Sequence, residues 1–599
     1  MKIKVSQYIA DFLVERGMTD CFMVTGGGAM HLDDAIGHKE GINCVFNHHE
    51  QACSIAAEAY TRLTGKLAAV CVTSGPGGTN AITGVMGGWL DSIPMFVLSG
   101  QVKRETTTAS CPELGLRQLG DQEFDIIGSV SNMTKYAVMV TDPTEIAYHL
   151  ERAHYMALEG RGGPVWIDIP LDVQGAQIET DELRHFNPAG ERPWVTPAVK
   201  DGVAKAVLDK IKAAKAPLIL VGTGIRLGGA EEKLLKLLDK LQIPVVTAWN
   251  ANDVVAADNP YFAGMPGTVG TRPGNFAVQQ CDLLLSLGCR LNIRMIGYNR
   301  HDFAKNAYKI VVDIDPRELA KPTVRVDMPI NADVSDLIDA LLAEDYKPNP
   351  DHKKFVDWCR DLVERYPAAC EEYKGKTPMN PYSFIDQLFG CLDETDRIIC
   401  GNGSACVITF QAGKIKQGQR MFTNSGCAAM GYGLPAALGV AVADNSKRTV
   451  CIDGDGSVMM NLQELATIAY NKLNVKLIII NNNGYHSIRQ TQTNLFKPPF
   501  IGLDSTSGIC FPNFEKLSDA FGLPYYKTDS EATAAYVLDE FLGSDGPAVC
   551  EVVVDPTQNF APKSSSKVLP DGRIVSPSLN DMAPFLDRAE FDKIVNVKF

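Results

Sequence analysis

Residues 449 to 484 read TVCIDGDGSVMMNLQELATIAYNKLNVKLIIINNNG, two apolar runs that each break off into small residues and oxygen donors. Asp455 stands between Gly454 and Gly456 after the first run, and Asn482 follows the second, 27 residues on (482 minus 455). In a unit of strand, crossover helix and parallel strand, both strands point the same way, so their carboxyl ends share one edge of the sheet. Ligands of open α/β sheets bind in the crevice beyond that edge. A carboxylate and an amide oxygen there suit Mg2+, a hard cation that takes oxygen ligands and completes its octahedron with water and phosphate. Gly454 and Gly456 would let a phosphate approach the backbone, and a helix starting near Ser457 would turn its positive dipole end to the same anion. The expected occupant is a metal-clamped diphosphate.

Either turn alone is the ordinary Asp-Gly or Asn-Gly signal for a chain reversal. Asp453, Asp455, Ser457 and Glu464 also fall at the offsets of calcium ligands in an EF-hand loop. Val458, however, stands where that loop needs glycine, and the flanking runs read as strands rather than helices. Gly454, Asp455 and Gly456 followed by Asn481 and Asn482 together resemble the fingerprint of thiamine-diphosphate enzymes. The resemblance implies Asp455, Asn482 and the backbone carbonyl of Gly484 as metal ligands, with Tyr485 beside the cofactor.

Such an enzyme must also remove the proton on thiazolium C2, and the family does so through a glutamate of its N-terminal domain that hydrogen-bonds the aminopyrimidine. FNHHEQACSIAAEAYTRLTG supplies Glu50 just after a strand, at the start of a helix. An acid there also has the plain role of favouring the helix dipole by about 0.3–1 kcal/mol. The string closely resembles the His-Glu-Gln segment of acetohydroxyacid (acetolactate) synthases, and VTSGPGGTNAITGVMGGWLDSIPMFVLSGQV, with Pro76 and Asn80, resembles their next segment. NSGCAAMGYGLPAALG is similar to the stretch whose apolar side chain supports the bent cofactor, which implies Met430, a residue type equally at home in a core. GNGSAC implies Gly403 and Ser404 at the diphosphate. VTGGGAMHLDDAI, with Gly27 and Gly28, resembles the loop beside the reacting carbon, and Gln122 and Lys135 fall at active-site positions of the family. The likeness runs over nearly the whole chain in the same domain order.

Two departures bear on the reaction. His31 stands where the synthases have an aliphatic residue, and its imidazole is a candidate acid-base group; His48, His49 and His486 are weaker candidates. Gln490 fits a family glutamine, but Thr491 replaces the tryptophan with which the synthases select the larger keto acid, which argues against ordinary branched-chain amino-acid biosynthesis. The expected activity is a thiamine-diphosphate- and Mg2+-dependent decarboxylase and carboligase in which Glu50, His31 and Gln122 serve the chemistry. An acetaldehyde-equivalent unit would pass from pyruvate to a carbonyl acceptor. Two-carbon transfer to a keto sugar, hydrolytic cleavage of a cyclic 1,2-diketone, and cofactor binding without turnover are the alternatives, and Glu50 argues against the last. The resemblance also implies a FAD site mid-chain, where LVGTGIRLGG, GCRLNIRMIG and VVDIDPREL offer Gly222, Gly224, Arg290 and Asp313 or Asp315. A strand followed by Gly-x-Gly is weak by itself, and the family's Met-His-Gly is altered to GMPGTVGTRPGN, so FAD is an open expectation, structural if retained.

Elements must carry these residues to common edges. Apolar runs alternate with helical periodicity in three blocks: DCFMV, INCVF, LAAVCV, MFVLSG and GGPVWIDIP; then APLILVGTG, IPVVTAW, DLLLSLG and YKIVVDIDP; then DRIICGNG, RTVCIDGDG, VKLIIINNNG and PAVCEVVVD. This is the pattern of mainly parallel sheets. The expected fold class is α/β, with three doubly wound domains. By the resemblance these are pyrimidine-binding over 1–185, central and FAD- or nucleotide-binding-like over 190–345, and diphosphate-binding over 370–560, with a loop-like tail over 561–599. HFNPAGERPWVTPAV and EDYKPNPDHKK read as linkers. KLAAVCVTSGPGGTNAITGVMGGWLDSIPMFVLSG and the stretch that opens this section both read strand, glycine turn, helix, strand, as an internal duplication would.

The chain of 599 residues is 45% hydrophobic and 21% charged, the balance of an ordinary globular protein with room for several cores. A formal net charge of −14 argues against a nucleic-acid-binding face, which needs a basic surface. Sixteen cysteines show neither zinc-like pairs nor a secreted framework and read as reduced thiols. MKIKVSQYIADFLVERG has amphipathic helical periodicity rather than a signal-like core, and no run reaches membrane-spanning length. The reading is a cytoplasmic protein without a membrane partner. The resemblance places the pyrimidine domain of one subunit against the diphosphate domain of another, hence a homodimer or homotetramer acting on a small 2-keto acid and a carbonyl acceptor.

Overall fold

The computed structural model describes residues 1–191, 194–568, 571 and 573–599. Its architecture is α/β, with three parallel sheets following one another along the chain. The N-terminal sheet runs Asn43–Phe46, Asp20–Met23, Ala69–Val72, Met95–Gln101, Pro164–Pro170 and Tyr136–Met139. The C-terminal sheet runs Arg420–Phe422, Arg397–Cys400, Thr449–Gly454, Val475–Asn481, Ala548–Val553 and Tyr525–Thr528. Numbered along the chain within each sheet, both have the strand order 2-1-3-4-6-5, as the duplicated sequence pattern anticipates. Between them lies a five-stranded sheet of Val245–Thr247, Pro217–Val221, Leu283–Leu287, Tyr308–Asp313 and Met328–Asn331.

Tyr136–Met139, Met328–Asn331, Arg420–Phe422 and Tyr525–Thr528 do not stand out as apolar runs. Each is a sheet edge, bonded on one side only, and none is buried throughout. Inner strands differ because they bury both faces. In Ala69–Val72, Ala69 and Cys71 enter one core while Val70 and Val72 enter another, so the strand reads as a continuous apolar run rather than an alternation.

The N- and C-terminal sheets share one core. Phe22, Val70 and Val97 from the first meet Ile399, Cys451, Leu477 and Ile479 from the second, around the buried helices Glu50–Thr64 and Gly433–Ala443. A Cβ built on Gly439 would lie 2.1 Å from Ala56 O, so the approach of the two backbones requires glycine. Glu464 ties the same interface: its buried carboxylate accepts from Asn47 Nδ2 at 2.9 Å and from His48 N–H at 3.0 Å.

The central sheet has its own core; it meets the C-terminal domain through Trp249, stacked on Phe410 at 4.9 Å, and both neighbours through polar contacts. Arg161 reaches Asp315 at 3.1 Å and Glu318 at 2.9 Å, and Asn250 Nδ2 donates to Thr423 O at 2.7 Å. The tail departs from the loop-like expectation, since it contains the helix Arg588–Val595. Its apolar end drives this: the ring of Phe599 packs edge-on against Phe355 and Trp358, with centroids 4.8 and 5.2 Å away. Among the described residues no helix is long and apolar enough to cross a membrane, and all sixteen cysteines are free thiols.

Candidate active site

The strands Thr449–Gly454 and Val475–Asn481 lie side by side in parallel register, Gly454 opposite Ile480, so the loops that follow leave one edge together. Gly484 N–H donates to Asp455 Oδ2 at 2.9 Å, and Gly456 N–H donates to Oδ1 at 2.8 Å. Gly484 has φ +134°, and a Cβ there would lie 2.2 Å from Leu503 O, so this turn admits only glycine. Asp455 is 1% exposed; burial pushes its carboxyl up to about 6, against the pull of the Gly484 and Gly456 N–H groups and of Arg489.

Asn482 is 4% exposed, its Nδ2 donates to Ser404 Oγ at 2.9 Å, and its Oδ1 has no hydrogen-bond partner. An unsatisfied buried acceptor costs about 1–3 kcal/mol, and a cation placed among these oxygens would relieve both this cost and the desolvation of Asp455. No three His, Cys, Asp or Glu converge on a metal position among the described residues. One carboxylate, one amide and backbone carbonyls suit a hard cation that keeps water or phosphate oxygens. The residues therefore fit Mg2+ and a diphosphate. Gly454 has open space where a side chain would stand, whereas Gly456 lies beneath the Tyr485 ring, its built Cβ 2.1 Å from Cε1.

The helix anticipated near Ser457 is displaced. Val458, fully buried in the shared core, pulls the segment into a short 3-10 turn, Val458–Met460, and the α-helix begins only at Glu464. Ser457 Oγ instead accepts the Gly431 N–H at 3.0 Å and so steadies the loop carrying Met430, which is 38% exposed. The helix that starts in the crevice is Gly403–Ala412, with Ser404 in its first turn.

A second cluster forms at the carboxyl edge of the N-terminal sheet. Glu50 opens its helix right after the strand Asn43–Phe46, and its Oε2 accepts from Asn80 Nδ2 at 3.0 Å. Pro76 and Asn80 belong to the helix that follows Ala69–Val72. Gly27 and Gly28 form a turn after Asp20–Met23, where Gly28 N–H donates to Thr73 Oγ1 at 3.0 Å. Gln122 lays its backbone oxygen over Gly75. Among the described residues no hydrogen bond joins Glu50 to the Asp455 crevice within one chain.

Other candidates lie elsewhere. Lys135 precedes the strand Tyr136–Met139 and so sits at the opposite, amino-terminal edge of the sheet; its Nζ donates to Glu159 O at 2.5 Å, and burial lowers its amine to about 8. His31 lies on the helix Met30–Gly37 with Nδ1 3.0 Å from Lys4 Nζ and its ring against Gly175. Burial and the Lys4 charge lower its basicity, and it faces the ribbon of Lys2–Lys4 and Gln177–Glu179 rather than Glu50. His49 Nδ1 caps the Glu50 helix by accepting the Gln51 N–H at 3.0 Å. His486 is buried against Gln490, Nε2 to Nε2 at 2.7 Å. Thr491 is exposed, its hydroxyl donating to Ser487 O at 3.0 Å.

A cavity of about 410 Å³ opens where the three domains meet, bounded by Gly222, Gly224, Arg290 and Asp313 and by Asp91 and Arg161 of the N-terminal domain. Of the two candidates Asp313 and Asp315, Asp313 lines it, its carboxyl pushed up to about 6 by burial. Asp315 is engaged by Arg317 at 2.7 Å and Arg161 at 3.1 Å; burial would raise its carboxyl, but these bonds prevail and hold it at about 2.

Sequence reading does not find Gln174, which donates to Gly28 O at 2.7 Å, or Arg489, which donates to Asn482 O at 3.1 Å and Asn483 O at 2.6 Å. In a helical pattern Arg489 looks like a surface cation, and only its place four residues after Tyr485 hints otherwise.

Three family models match in chain order: the thiamine pyrophosphate enzyme N-terminal TPP binding domain over residues 3–128, the central domain over 204–341, and the C-terminal TPP binding domain over 401–552. Paired sheets of one topology, with polar clusters at their carboxyl edges, are those of a thiamine-diphosphate enzyme. The chain is 31% identical over 559 residues to the acetolactate synthase isozyme 1 large subunit of Escherichia coli (strain K12), covering 93% of this chain and 95% of that protein. It is 31% identical over 564 residues to the acetolactate synthase large subunit of Lactococcus lactis subsp. lactis, with 93% of each covered. The probable acetolactate synthase large subunit of Methanococcus aeolicus is 32% identical over 565 residues, 90% of this chain and 89% of its own length. The chain belongs to the thiamine-diphosphate-dependent, acetolactate-synthase-like family.

Proposed function

We propose that the protein decarboxylates a 2-keto acid, pyruvate by preference, and joins the acetaldehyde-equivalent unit to a carbonyl acceptor. The observation that carries this reading is the unpaired Asn482 Oδ1 beside the desolvated Asp455 carboxyl, at the sheet edge where the Gly403–Ala412 helix begins. Asp455, Asn482 and the Gly484 carbonyl hold Mg2+ in this reading, and Gly403, Ser404, Gly454 and Gly456 admit the diphosphate. Thiamine diphosphate, when bound, supplies a nucleophilic carbon and an electron sink for the decarboxylated acid. Glu50 would hold the proton exchanged with the aminopyrimidine; Asn80 steadies its Oε2, which leaves Oε1 for that task. Met430 would support the cofactor, with Gly27, Gly28, Pro76, Gln122 and Tyr485 as further residues that would hold it. His31, turned to Lys4, is left out of the proton chemistry.

Glu50 and Asp455 stand in separate clusters, and the Glu50 edge exposes Phe46 and Phe124. This supports a homodimer or homotetramer in which a second copy completes each site. The inter-domain cavity supports FAD, with Asp313 as acceptor for its hydroxyls and Arg290 for its phosphates. Sixteen free thiols favour a reducing, cytoplasmic setting. The exposed Thr491 leaves room for an acceptor bulkier than a second pyruvate, and a keto sugar is the second reading.

Incubation with thiamine diphosphate, Mg2+ and pyruvate tests this. Release of CO2 with formation of acetolactate is the expected result, and CO2 without acetolactate moves the acceptor to the second reading. Failure to consume pyruvate rejects the carboligase in favour of a diketone hydrolase or an inert binder. Flavin absorbance of the purified protein decides the FAD assignment.

A further inference from the structure

The tail brings a cation without an acid to the flank of the cofactor crevice. Lys563 is fixed there by reciprocal backbone hydrogen bonds with Ala583, at 2.9 and 2.8 Å, while Ser564 N–H donates to Thr268 O at 2.7 Å. The Lys563 side chain is half-buried, and among the described residues no carboxylate lies within ion-pair distance of it. Its polar contact is Gln490 Oε1 at 3.4 Å, with the Phe560 ring 6.0 Å to one side. An ammonium carries three N–H donors, so two have no acceptor among the described residues. Removing such a charge from water is costly unless something pairs with it, and burial accordingly lowers its basicity.

Gln490 is oriented for this contact. Its amide nitrogen lies 2.7 Å from His486 Nε2; an amide nitrogen only donates, so the ring nitrogen accepts and the Gln490 oxygen turns to Lys563. The helix His486–Leu495 that carries the pair starts two residues after Gly484. Its adjoining face presents Ser487 and the exposed Thr491, and Ser487 Oγ lies 3.4 Å from the position of a Cβ on Gly403. Lys563 thus stands beside the helix that leaves the crevice, next to its exposed Thr491.

We propose that Lys563 binds the carboxylate of a 2-keto acid acceptor, which makes the C-terminal tail a determinant of substrate choice. The inference rests on the carboligase reading above. The donor carries a carboxylate too, but a cation paired with it would stabilise the charged ground state and oppose loss of CO2, whereas the acceptor keeps its carboxylate in the product.

The test compares wild type with Lys563→Met, which retains the apolar stem, and with Lys563→Arg. Pyruvate is the donor, and either pyruvate or uncharged acetaldehyde is the acceptor; CO2, acetolactate and acetoin are followed together. In Lys563→Met the acetolactate-to-acetoin ratio should fall at least tenfold, with CO2 release in saturating acetaldehyde unchanged, and Lys563→Arg should restore much of the ratio. An unchanged ratio, or an equal loss with charged and neutral acceptors, overturns the inference. So does slower CO2 release at a constant ratio, which would assign Lys563 to the donor. A wild-type protein that consumes no pyruvate with either acceptor sinks the underlying reading and this inference with it. If Lys563→Met does not fold, Lys563→Gln carries the same measurement.

Discussion

Gly484 donates its backbone N–H to Asp455 Oδ2 at 2.9 Å across 29 positions of sequence. That bond locks together two loops leaving neighbouring parallel strands, and it presents a carboxylate beside the unpaired amide oxygen of Asn482. The crevice is preorganised for a cation even though no three His, Cys, Asp or Glu converge there among the described residues.

Ser404 orients Asn482, so Ser404→Ala should weaken Mg2+ affinity by about 10- to 100-fold, as loss of an outer partner of a metal ligand does. Titrating Mg2+ against the rise in melting temperature caused by thiamine diphosphate measures it. Chelation of the metal should abolish that rise. Wild-type affinity in the variant would mean that Asn482 holds its orientation without Ser404.

Glu50→Gln keeps the size and the Asn80 contact but removes the proton acceptor. Turnover of pyruvate should fall by about 10²- to 10⁴-fold, the usual contribution of a positioned acid-base group, while thiamine diphosphate still raises the melting temperature. Full turnover in this variant would dismiss the assigned role.

Gly439→Ala places a methyl group against Ala56 O in the core shared by the two sheets. Overpacking of this kind costs about 1–3 kcal/mol, to be read from the urea midpoint. A variant as stable as wild type would show that the helices separate without penalty.

Asp168 is buried, with Oδ1 accepting from Ser99 Oγ at 2.6 Å and Oδ2 from Gln101 Nε2 at 3.0 Å. Burial prevails over these bonds and pushes its carboxyl up to about 7. An unfolded aspartic acid ionises near pH 4, so between about pH 4 and 7 the unfolded chain releases a proton that the folded chain keeps. Stability therefore falls as pH rises through that window. Asp168→Asn should flatten the pH dependence of the denaturation midpoint between pH 5 and 7, whatever its offset, and parallel curves for the two proteins would contradict the assignment.

The position of Asp455, Asn482 and Gly484 at one sheet edge could be read from sequence because they stand in turns directly after inner strands, and those strands announce themselves by burying both faces. The same logic locates Glu50 and Asn80 at the end of a strand. Lys135 shows its limit, for a residue before an unnoticed edge strand lies at the wrong end of the sheet. His31, four residues past Gly27, points away because its helix turns the ring toward Lys4.

By itself the chain's order of apolar runs, glycine turns and oxygen-bearing residues determined three parallel sheets and the shared edge at which Asp455 and Asn482 stand, since these depend on local periodicity and on neighbours joined by one crossover. Tertiary structure alone decided the shared core around Gly439 and Ala56, the choice of Asp313 over Asp315 at the cavity, and the arrival of Lys563 beside Gln490. Those outcomes turn on burial and on partners far apart in sequence, which no local pattern encodes.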